Sequence, residues 1–265
     1  MDIVITYVDG LDPQWRKAYA DTVGGEPLVK RFRDWGTLKY LLRGIERFMP
    51  DAGNVFLVVS SASQVPSWVD ASKVTVVLHE QIIPEQYLPV FNSTAIEMFL
   101  HRIPGLGEQF VYFNDDTFPV SLCKASDLFD AGHAVVRFRK GRSKSGAYRQ
   151  NVVASHDFAR RAAGLGPTRH YLRPQHAPTP MLRSVSEELF EARKTEILKT
   201  VTPLRQGFNL NQYVFTCYSL YTGRTVEGKG SCKHFSLGLH PAGMICRWLA
   251  HPDRRCVSVP TWTAE

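Results

Sequence analysis

Short apolar runs alternate with segments of helical spacing over the first 120 residues. Runs rich in β-branched and aromatic residues predict buried strands at residues 3–8, 55–59, 74–78 and 110–113. Two amphipathic helices are predicted between them, one closed by Pro50 and one capped by Ser93. Their apolar positions are Leu38, Leu41, Leu42, Ile45 and Phe48, and then Ile96, Phe99, Leu100 and Ile103. This alternation predicts an α/β fold with a mainly parallel, Rossmann-like sheet and helices on both faces.

The second half of the chain has a different pattern. Residues 137–149 (RFRKGRSKSGAYR) are basic and rich in Gly and Ser, which is typical of a mobile loop. Helical patterns follow near residues 152–163, 182–197 and 210–221, whereas the last 40 residues show little periodicity. We therefore expect a core at residues 1–120 and a helical, basic insertion within residues 121–265, as one domain or two closely packed lobes.

Composition narrows the class of protein. Of the 265 residues, 44% are hydrophobic and 22% charged, which excludes a disordered chain, and no window approaches the ~18 unbroken apolar residues of a membrane-spanning helix. No secretory signal is visible and the five cysteines form no C-x-x-C pair, so we expect reduced thiols in the cytosol. The net charge of +7 fits a nucleic acid, an anionic membrane or a phosphorylated small substrate as partner.

Motifs of several common classes are absent from the sequence. The chain has no G-x-x-x-x-G-K-[ST], no G-x-S-x-G, and no G-x-G-x-x-G after the first strand. These absences argue against P-loop nucleotidases, α/β-hydrolases and dinucleotide oxidoreductases. The chain also has neither a zinc finger nor an RNP1-type aromatic strand, so nucleic acid is not the expected partner.

Acidic residues follow two of the predicted strands. Asp9 and Asp12 come after the first strand, and Asp115 and Asp116 come after the fourth. Ligands of a parallel α/β sheet bind beyond the carboxyl ends of its strands, and paired carboxylates there suit Mg²⁺ or Mn²⁺ bridging to a diphosphate. Because Asn and Asp also dominate turns, a turn with capping residues is an equal alternative on spacing alone.

Three further residues have candidate chemistry. His176 lies between prolines, where a stiff backbone can present a general base or a phosphate contact, although most single histidines are ordinary loop residues. Arg205 precedes a predicted helix and could grip phosphate oxygens, or simply be solvated. Glu97 lies outside the apolar stripe of the second helix, where its alternative is a solvated side chain paired with His101.

Together these residues resemble the Stealth family, which comprises hexose-1-phosphate transferases of bacterial capsule synthesis and the catalytic subunit of the animal GlcNAc-1-phosphotransferase. Residues 3–13 (IVITYVDGLDP) closely resemble its first conserved block. Residues 31–116 resemble its second block, in order and at compatible spacing. The matches are Arg31-Phe32-Arg33-Asp34, Leu38-Lys39-Tyr40-Leu41-Leu42-Arg43, Pro66-Ser67-Trp68, His79-Glu80, Leu88-Pro89-Val90-Phe91-Asn92-Ser93, Ala95-Ile96-Glu97, His101-Arg102-Ile103 and Asn114-Asp115-Asp116.

The resemblance is looser beyond residue 120. His176-Ala177-Pro178 with Met181 is similar to the family's histidine–proline segment, Arg205 to its arginine ahead of a helix, and Asn151 to an asparagine upstream. The chain departs from the family where an acidic residue often follows that arginine, because it has Asn209 and Asn211 there. A second Asn-Asp pair, the family's fourth block, is not recognisable in residues 235–248.

The resemblance implies a reaction. A sugar 1-phosphate, for example GlcNAc-1-phosphate from UDP-GlcNAc, would pass from a nucleotide-diphosphate sugar to the hydroxyl of a saccharide or phosphosaccharide acceptor. The products would be a phosphodiester and a nucleoside monophosphate. It also implies a single catalytic domain at residues 1–265, with a glycosyltransferase-A-like sheet, a nucleotide-sugar and metal core at residues 1–120, and an acceptor side at residues 121–265.

The resemblance also implies residue roles. Asp115 and Asp116 would hold Mg²⁺ or Mn²⁺ on the diphosphate, and Arg205 would neutralise developing charge. His176 would take the acceptor's proton. Glu97 would orient that histidine or bind sugar hydroxyls. The residues expected to bind substrate are Thr6, Asp9, Gly10, Arg31, Asn92 and Asn151.

Two other functions remain open. A metal-dependent glycosyltransferase would use the same donor but release a nucleoside diphosphate, and a non-enzymatic basic module that binds carbohydrate or nucleic acid would have no turnover. The expected location is the cytosol, where nucleotide sugars are made, with the inner face of the membrane and peripheral association left open. Basic residues are frequent around residues 137–149 and 160–173, which favours an anionic substrate as the reason for the +7 charge.

Overall fold

A five-stranded sheet forms the centre of the structure, a computed structural model that describes residues 1–28, 32–142 and 146–259. The strands in chain order are β1 (Asp2–Thr6), β2 (Val55–Val59), β3 (Thr75–Leu78), β4 (Gln109–Phe113), β5 (Thr117–Pro119), β6 (Phe129–Asp130), β7 (His133–Val136), β8 (Phe138–Gly141), β9 (Tyr171–Pro174), β10 (Thr179–Leu182), β11 (Thr225–Glu227), β12 (Cys232–His234) and β13 (Cys256–Ser258). The central sheet has the order β10-β4-β1-β2-β3, in which β1 to β4 are parallel and β10 is antiparallel to β4.

Helices cover this sheet. They are α1 (Pro13–Val23), α2 (Leu38–Phe48), α3 (His79–Ile82), α4 (Ser93–Glu97), α5 (Ala147–Ala162), α6 (Arg183–Ala192), α7 (Lys194–Leu198), α8 (Tyr213–Tyr221) and α9 (Ala242–Ala250). Short 3₁₀ turns lie at Ala62–Gln64, Glu85–Tyr87, Leu100–Arg102 and Ala125–Asp127. No helix in the described ranges is long and apolar enough to cross a membrane.

The apolar pattern explains the central sheet. Ile3, Val4 and Ile5 are successive residues of β1 and all are fully buried. Since successive side chains of a strand point to opposite faces, both faces of the sheet are covered, as a parallel sheet requires. The predicted α/β class with a mainly parallel sheet is therefore confirmed.

Individual elements match the sequence pattern to different degrees. The first four predicted strands correspond to β1 to β4, and the first predicted helix to α2, which ends before Pro50. The predicted helix at Ser93 is shorter, because α4 ends at Glu97 and a 3₁₀ turn follows. Its N-cap is Asn92 rather than Ser93: the Asn92 Oδ1 accepts the Thr94 N–H at 3.2 Å.

The second half contains more strands than the sequence predicts. The three predicted helical regions are present as α5, as α6 with α7, and as α8. The segment at residues 137–149, predicted as a loop, instead contains β8, which pairs antiparallel with β9; residues 143–145 lie outside the described residues. Residues 228–259, the described part of the chain's last segment, include α9 and the pair β12–β13. Strands of three or four residues are too short for periodicity to reveal.

Side chains from both halves share the largest hydrophobic cluster. It contains Phe110 of β4 together with Phe190 of α6 and Phe215 of α8. The sheet β12-β13-β5 connects the last strands to the segment after β4, with a smaller cluster of Phe235, Ile245 and Val257 beneath α9. Strand β13 is thereby held against residues 117–119.

The buried carboxylate of Asp2 joins the start of β1 to the segments that lead into β2 and β4. Asp2 accepts the Asn54 N–H on Oδ1 at 3.0 Å and the Gly107 N–H on Oδ2 at 2.7 Å. A Cβ on Gly53 or Gly107 would lie 2.9 or 3.0 Å from these oxygens, so both positions favour glycine.

Asp2→Ala removes the acceptor of two partly buried N–H groups, so we expect it to lower the free energy of unfolding by about 2–3 kcal/mol. Asp21→Ala, which removes an exposed carboxylate paired only with Lys17, should change it by less than ~0.5 kcal/mol. Urea denaturation measures both. Equal effects of the two substitutions would contradict the role given to Asp2.

Candidate active site

The carboxyl ends of β1 and β4 lie side by side and bring the first functional side chains together. Their register pairs Ile5 with Phe113, so the residues that follow each strand fall at one edge of the sheet. The Tyr112 hydroxyl is 2.9 Å from the Thr6 Oγ1, 3.1 Å from the Asn114 Oδ1 and 3.4 Å from the Glu97 Oε1. Tyr112 thus connects the two strand ends to α4.

Carboxylates are concentrated at this edge. Asp115 and Asp116 are half-buried, and burial together with the charges of Asp116 and Asp34 raises the pKa of Asp115 to about 7. Asp34 is held in place by the Tyr7 hydroxyl, which donates to its Oδ2 at 2.9 Å, and by the Gly36 N–H. These oxygen donors form a site of concentrated negative charge.

Asp34, Asp115 and Asp116 are here called the acidic edge. His176 lies against it because β10 pairs with β4. Thr179 is level with Tyr112 in an antiparallel register, so three residues before Thr179 the chain has passed the end of β4. The His176 Nε2 is 3.1 and 3.0 Å from the two Asp116 carboxylate oxygens. Burial disfavours the imidazolium, but the attraction and hydrogen bond of Asp116 outweigh it and raise the pKa of His176.

Glu97 is buried beneath the same edge. Its Oε2 accepts the Gln212 N–H at 2.8 Å. Burial raises the pKa of Glu97 to about 7, against the opposing influence of this hydrogen bond, Arg205, Tyr112 and His176. The alternative of a solvated Glu97 paired with His101 is wrong: His101 is buried, with its ring 4.8 Å from that of Phe190.

Arg205 approaches from the segment before α8. Its Nη2 donates to the Ser93 Oγ at 2.7 Å, while its buried Nε has no hydrogen-bond partner within the described residues. A buried guanidinium donor without an acceptor is costly unless an anion supplies one. The side chain therefore has a free donor for a phosphate or carboxylate.

Asn92 and Asn151, two of the expected substrate-binding residues, are buried and support the loop that carries Arg205. The Asn92 Nδ2 donates to the Asn209 Oδ1 at 3.1 Å, and the Asn151 Nδ2 donates to the Gln206 carbonyl oxygen at 2.6 Å. Asn209 also accepts the Gln206 N–H and donates to the Thr200 carbonyl oxygen. Both buried side chains therefore use their amide groups in hydrogen bonds within the protein, including bonds to this loop.

The turn after β1 contains two further residues that are expected to bind substrate, Asp9 and Gly10. Asp9 accepts the Leu11 N–H at 2.8 Å and is joined to Gln64 through its backbone. A Cβ on Gly10 would lie 2.3 Å from the Phe32 carbonyl oxygen, so this close approach requires glycine. Arg31 lies outside the described residues.

Asp12 departs from the expectation of an acidic pair with Asp9. It is buried and its Oδ1 accepts the Trp15 N–H at 2.7 Å, which makes it the N-cap of α1. For Asp12, the capping alternative is therefore correct, because the first turn of α1 has N–H groups that need this acceptor.

Three residues of the site were not singled out from the sequence: Asp34, Tyr112 and His234. The His234 ring lies 6.4 Å from that of His176, and the Val259 N–H donates to the Asp116 carbonyl oxygen at 2.9 Å. The β12–β13 pair thus flanks the acidic edge. The sequence feature that could have indicated such residues is a polar side chain within or directly beside an apolar run, as for Tyr112.

In the part of the chain that the structure describes, the acidic edge has fewer metal-binding side chains than a site that holds an ion without a substrate. Within the described residues, no three His, Cys, Asp or Glu side chains converge closely enough to hold an ion alone. Magnesium bound through substrate phosphates needs only one or two protein carboxylates. Asp115 and Asp116, whose mutual repulsion contributes to the raised pKa of Asp115, fit that smaller requirement.

Sequence comparisons connect the chain to known proteins. The family model described as Stealth protein CR2, conserved region 2, matches residues 31–136. The receptor polysaccharide phosphotransferase WefC of Streptococcus oralis is 31% identical over 268 residues, 86% of this chain and 80% of the relative. A capsular polysaccharide phosphotransferase of Actinobacillus suis is 30% identical over 256 residues, 89% of this chain and 69% of the relative.

Solved structures with a looser likeness are glycosyltransferases. The apo glycosyltransferase GlyE of Streptococcus pneumoniae has a TM-score of 0.45 and 10% identity, over 97% of this chain and 53% of that one. Mouse xyloside xylosyltransferase 1 has a TM-score of 0.44 and 11% identity, over 97% of both chains. Scores this low decide nothing about the reaction.

The buried Glu97 gives the site a testable pH signature. Its pKa in the folded chain, about 7, exceeds the ordinary value of 4.5, so between these pH values the folded chain retains a proton that the unfolded chain releases. We expect Glu97 to lower the free energy of unfolding, by on the order of 3 kcal/mol, as pH rises through this interval. Glu97→Gln should remove that component, as measured by urea denaturation at pH 5 and pH 8.

Glu85→Gln, which neutralises an exposed carboxylate, is the matched control. If the difference in unfolding free energy between Glu97→Gln and the wild type is the same at both pH values, the burial described for Glu97 is wrong.

Proposed function

Because this chain belongs to the Stealth family and is accordingly a phosphotransferase of the kind that builds bacterial capsular polysaccharide, we propose that it transfers a hexose 1-phosphate from a nucleotide-diphosphate sugar to an acceptor hydroxyl. GlcNAc-1-phosphate from UDP-GlcNAc is the proposed example. The acceptor is a saccharide or phosphosaccharide. The products are a phosphodiester and a nucleoside monophosphate.

The observation that carries this proposal is the meeting of His176 with Asp116. Their side chains come from segments 60 residues apart in the chain and meet at 3.0 Å beyond the carboxyl end of β4. Since Asp116 engages Nε2, Nδ1 is the ring nitrogen that can accept a proton. A carboxylate that holds an imidazole in this way fixes both its orientation and its tautomer.

The proposed reaction follows from this geometry. The acceptor oxygen attacks the β-phosphorus of the donor, and its proton passes to His176 Nδ1. The bond between the β-phosphorus and the bridging oxygen breaks, and the nucleoside monophosphate leaves with that oxygen. Negative charge spreads over the phosphoryl oxygens in the transition state. The Arg205 guanidinium, whose Nε has no hydrogen-bond partner within the described residues, can donate to one of them.

Asp115 and Asp116 are the proposed ligands of Mg²⁺ or Mn²⁺. When bound, such a cation neutralises diphosphate charge and stabilises the leaving oxygen. The residues that support this assignment are the two adjacent carboxylates, with Asp34 close enough to raise the pKa of Asp115. Asp34 is therefore a further candidate for orienting Asp115.

The other residues receive binding and positioning roles in the proposal. Thr6, Asp9 and Gly10 are proposed to line the nucleotide-sugar pocket, and Arg31 is proposed to bind the same substrate on the resemblance alone. Asn92 and Asn151 position Arg205 through Asn209 and Gln206. Glu97 holds Gln212 and Tyr112 rather than His176, so we assign it to organising the site.

The proposed organisation is one catalytic domain over residues 1–265. Residues 1–120 supply the nucleotide-sugar and metal core, and residues 121–265 supply the acceptor side through His176 and Arg205. The proposed location is the cytosol, where nucleotide sugars are made, at the inner face of the membrane through peripheral association. Nucleic acid is not a proposed partner.

Identification of the released nucleotide tests the proposal. Incubated with a panel of nucleotide sugars, Mg²⁺ and a saccharide acceptor, the chain should release nucleoside monophosphate, measured by chromatography with ³¹P NMR of the sugar product. Release of nucleoside diphosphate would mean that the acceptor attacks the sugar carbon, as in a glycosyltransferase. Ligand binding without any turnover would favour the carbohydrate-binding module.

Substitutions in the same assay test the residue roles. His176→Ala should lower kcat by about 10²–10⁴-fold, the usual contribution of a general base, and Arg205→Ala should lower it by a similar factor. His133→Ala, at the half-buried start of β7, is the matched control and should leave kcat unchanged. A near-normal rate for His176→Ala would remove the proposed base.

A further inference from the structure

A corner of the molecule next to the acidic edge combines exposed apolar side chains with positive charge. Leu237, Leu239, Met244 and Leu249 belong to α9 and the turn before it, and their exposed fractions are 50%, 80%, 44% and 42%. These four side chains are here called the C-terminal patch. No other stretch of similar length in the described residues has as many exposed large hydrophobic side chains.

The backbone around the patch is fixed. The Leu239 and His240 N–H groups both donate to the Ser236 carbonyl oxygen, at 3.0 and 2.9 Å. On α9, Ile245 packs against Phe235 and Val257, which anchors one side of the helix. Met244 and Leu249 lie on either side of this anchored face, so they stay exposed while the helix remains docked.

The charge of this region is mainly positive. Residues 227–255 contain five Lys and Arg residues and three histidines against two acidic residues, Glu227 and Asp253. Asp253 accepts the Trp248 Nε1–H of α9 at 2.7 Å. Arg247 follows Met244 by three residues and is therefore its neighbour on the helix surface. Exposed leucines beside an excess of cations are typical of segments that lie in a membrane interface.

We propose that the C-terminal patch docks on an anionic phospholipid surface, an inference that rests on the peripheral membrane association named in the proposed function. The leucines enter the boundary between headgroups and acyl chains, and Lys233 and Arg247 contact lipid phosphates. Charge complementarity favours this occupant over a second copy of the chain, because the same basic residues would face each other across a symmetric dimer.

The C-terminal patch lies close in the chain to residues that contact the acidic edge. Strand β12 ends at His234, beside His176, and the turn with Leu237 and Leu239 follows within a few residues. The N–H of Val259, the residue after β13, donates a hydrogen bond to the Asp116 carbonyl oxygen. Docking would therefore hold the acidic edge close to the lipid surface, where a lipid-anchored saccharide could reach His176.

Vesicle co-sedimentation of the whole chain tests the proposal. The chain should sediment with vesicles of phosphatidylglycerol and phosphatidylcholine in equal parts, less with phosphatidylcholine alone, and less again at high salt. The double substitution Leu237→Ser and Leu239→Ser should weaken binding by about tenfold or more, because it removes several buried methylene groups. Leu28→Ser with Leu165→Ser, exposed leucines elsewhere, should not.

Controls separate this proposal from the proposed function. Release of nucleotide with a soluble acceptor should be the same for the patch variant and the wild type, which also reports that the variant is folded. Failure of the wild type to bind anionic vesicles would overturn the proposal. So would a patch variant that binds vesicles normally, or one whose only change is loss of a dimer in sedimentation velocity. Vesicle binding without any phosphotransfer would instead count against the proposed function.

Discussion

The crowding of carboxylates at the carboxyl end of β4 is the constraint on which the rest of the site depends. Asp115 and Asp116 are adjacent, Asp34 is near, and burial together with their mutual repulsion raises the pKa of Asp115 to about 7. Nearby positive charge stabilises the ionised form of such carboxylates. Within the described residues, His176 supplies it to Asp115 and Asp116, and Arg205 supplies it to Glu97 beneath them, so the second half of the chain stabilises the site of the first.

The antiparallel strand β10 makes this meeting possible. At this edge the four parallel strands contribute only the residues that follow them, whereas an antiparallel neighbour enters the sheet there and contributes the residues that precede it. The residues just before β10 therefore lie over the acidic residues after β4, and His176 reaches Asp116. Beneath them Glu97, Tyr112 and Gln212 form a buried network that ties α4, β4 and α8 together. The candidate catalytic side chains lie in short connecting segments that begin or end directly at these elements.

The sequence predicted the elements with strong periodicity and the residue types of the site, but not their partnerships. β1 to β4 and α2 follow directly from apolar spacing, and the acidic residues after β4 follow from the ends of parallel strands. Asp9 and Asp12 look alike in sequence, and both accept a local backbone N–H, but only Asp12 is buried as the N-cap of a helix, α1. The contact between His176 and Asp116 depends on strand pairing across 60 residues, and the short strands β8, β9, β12 and β13 have no detectable period.

The central claim is that the acidic edge accepts a cation together with a diphosphate. Mn²⁺ binding followed by electron paramagnetic resonance, with and without a nucleoside diphosphate, tests it most directly. We expect tight Mn²⁺ binding only when the diphosphate is present, because two carboxylates leave most coordination positions to phosphate and water. We also expect Asp115→Asn to weaken it by about tenfold or more. Unchanged binding of the Mn²⁺–diphosphate complex to a variant with both Asp115→Asn and Asp116→Asn would contradict the account.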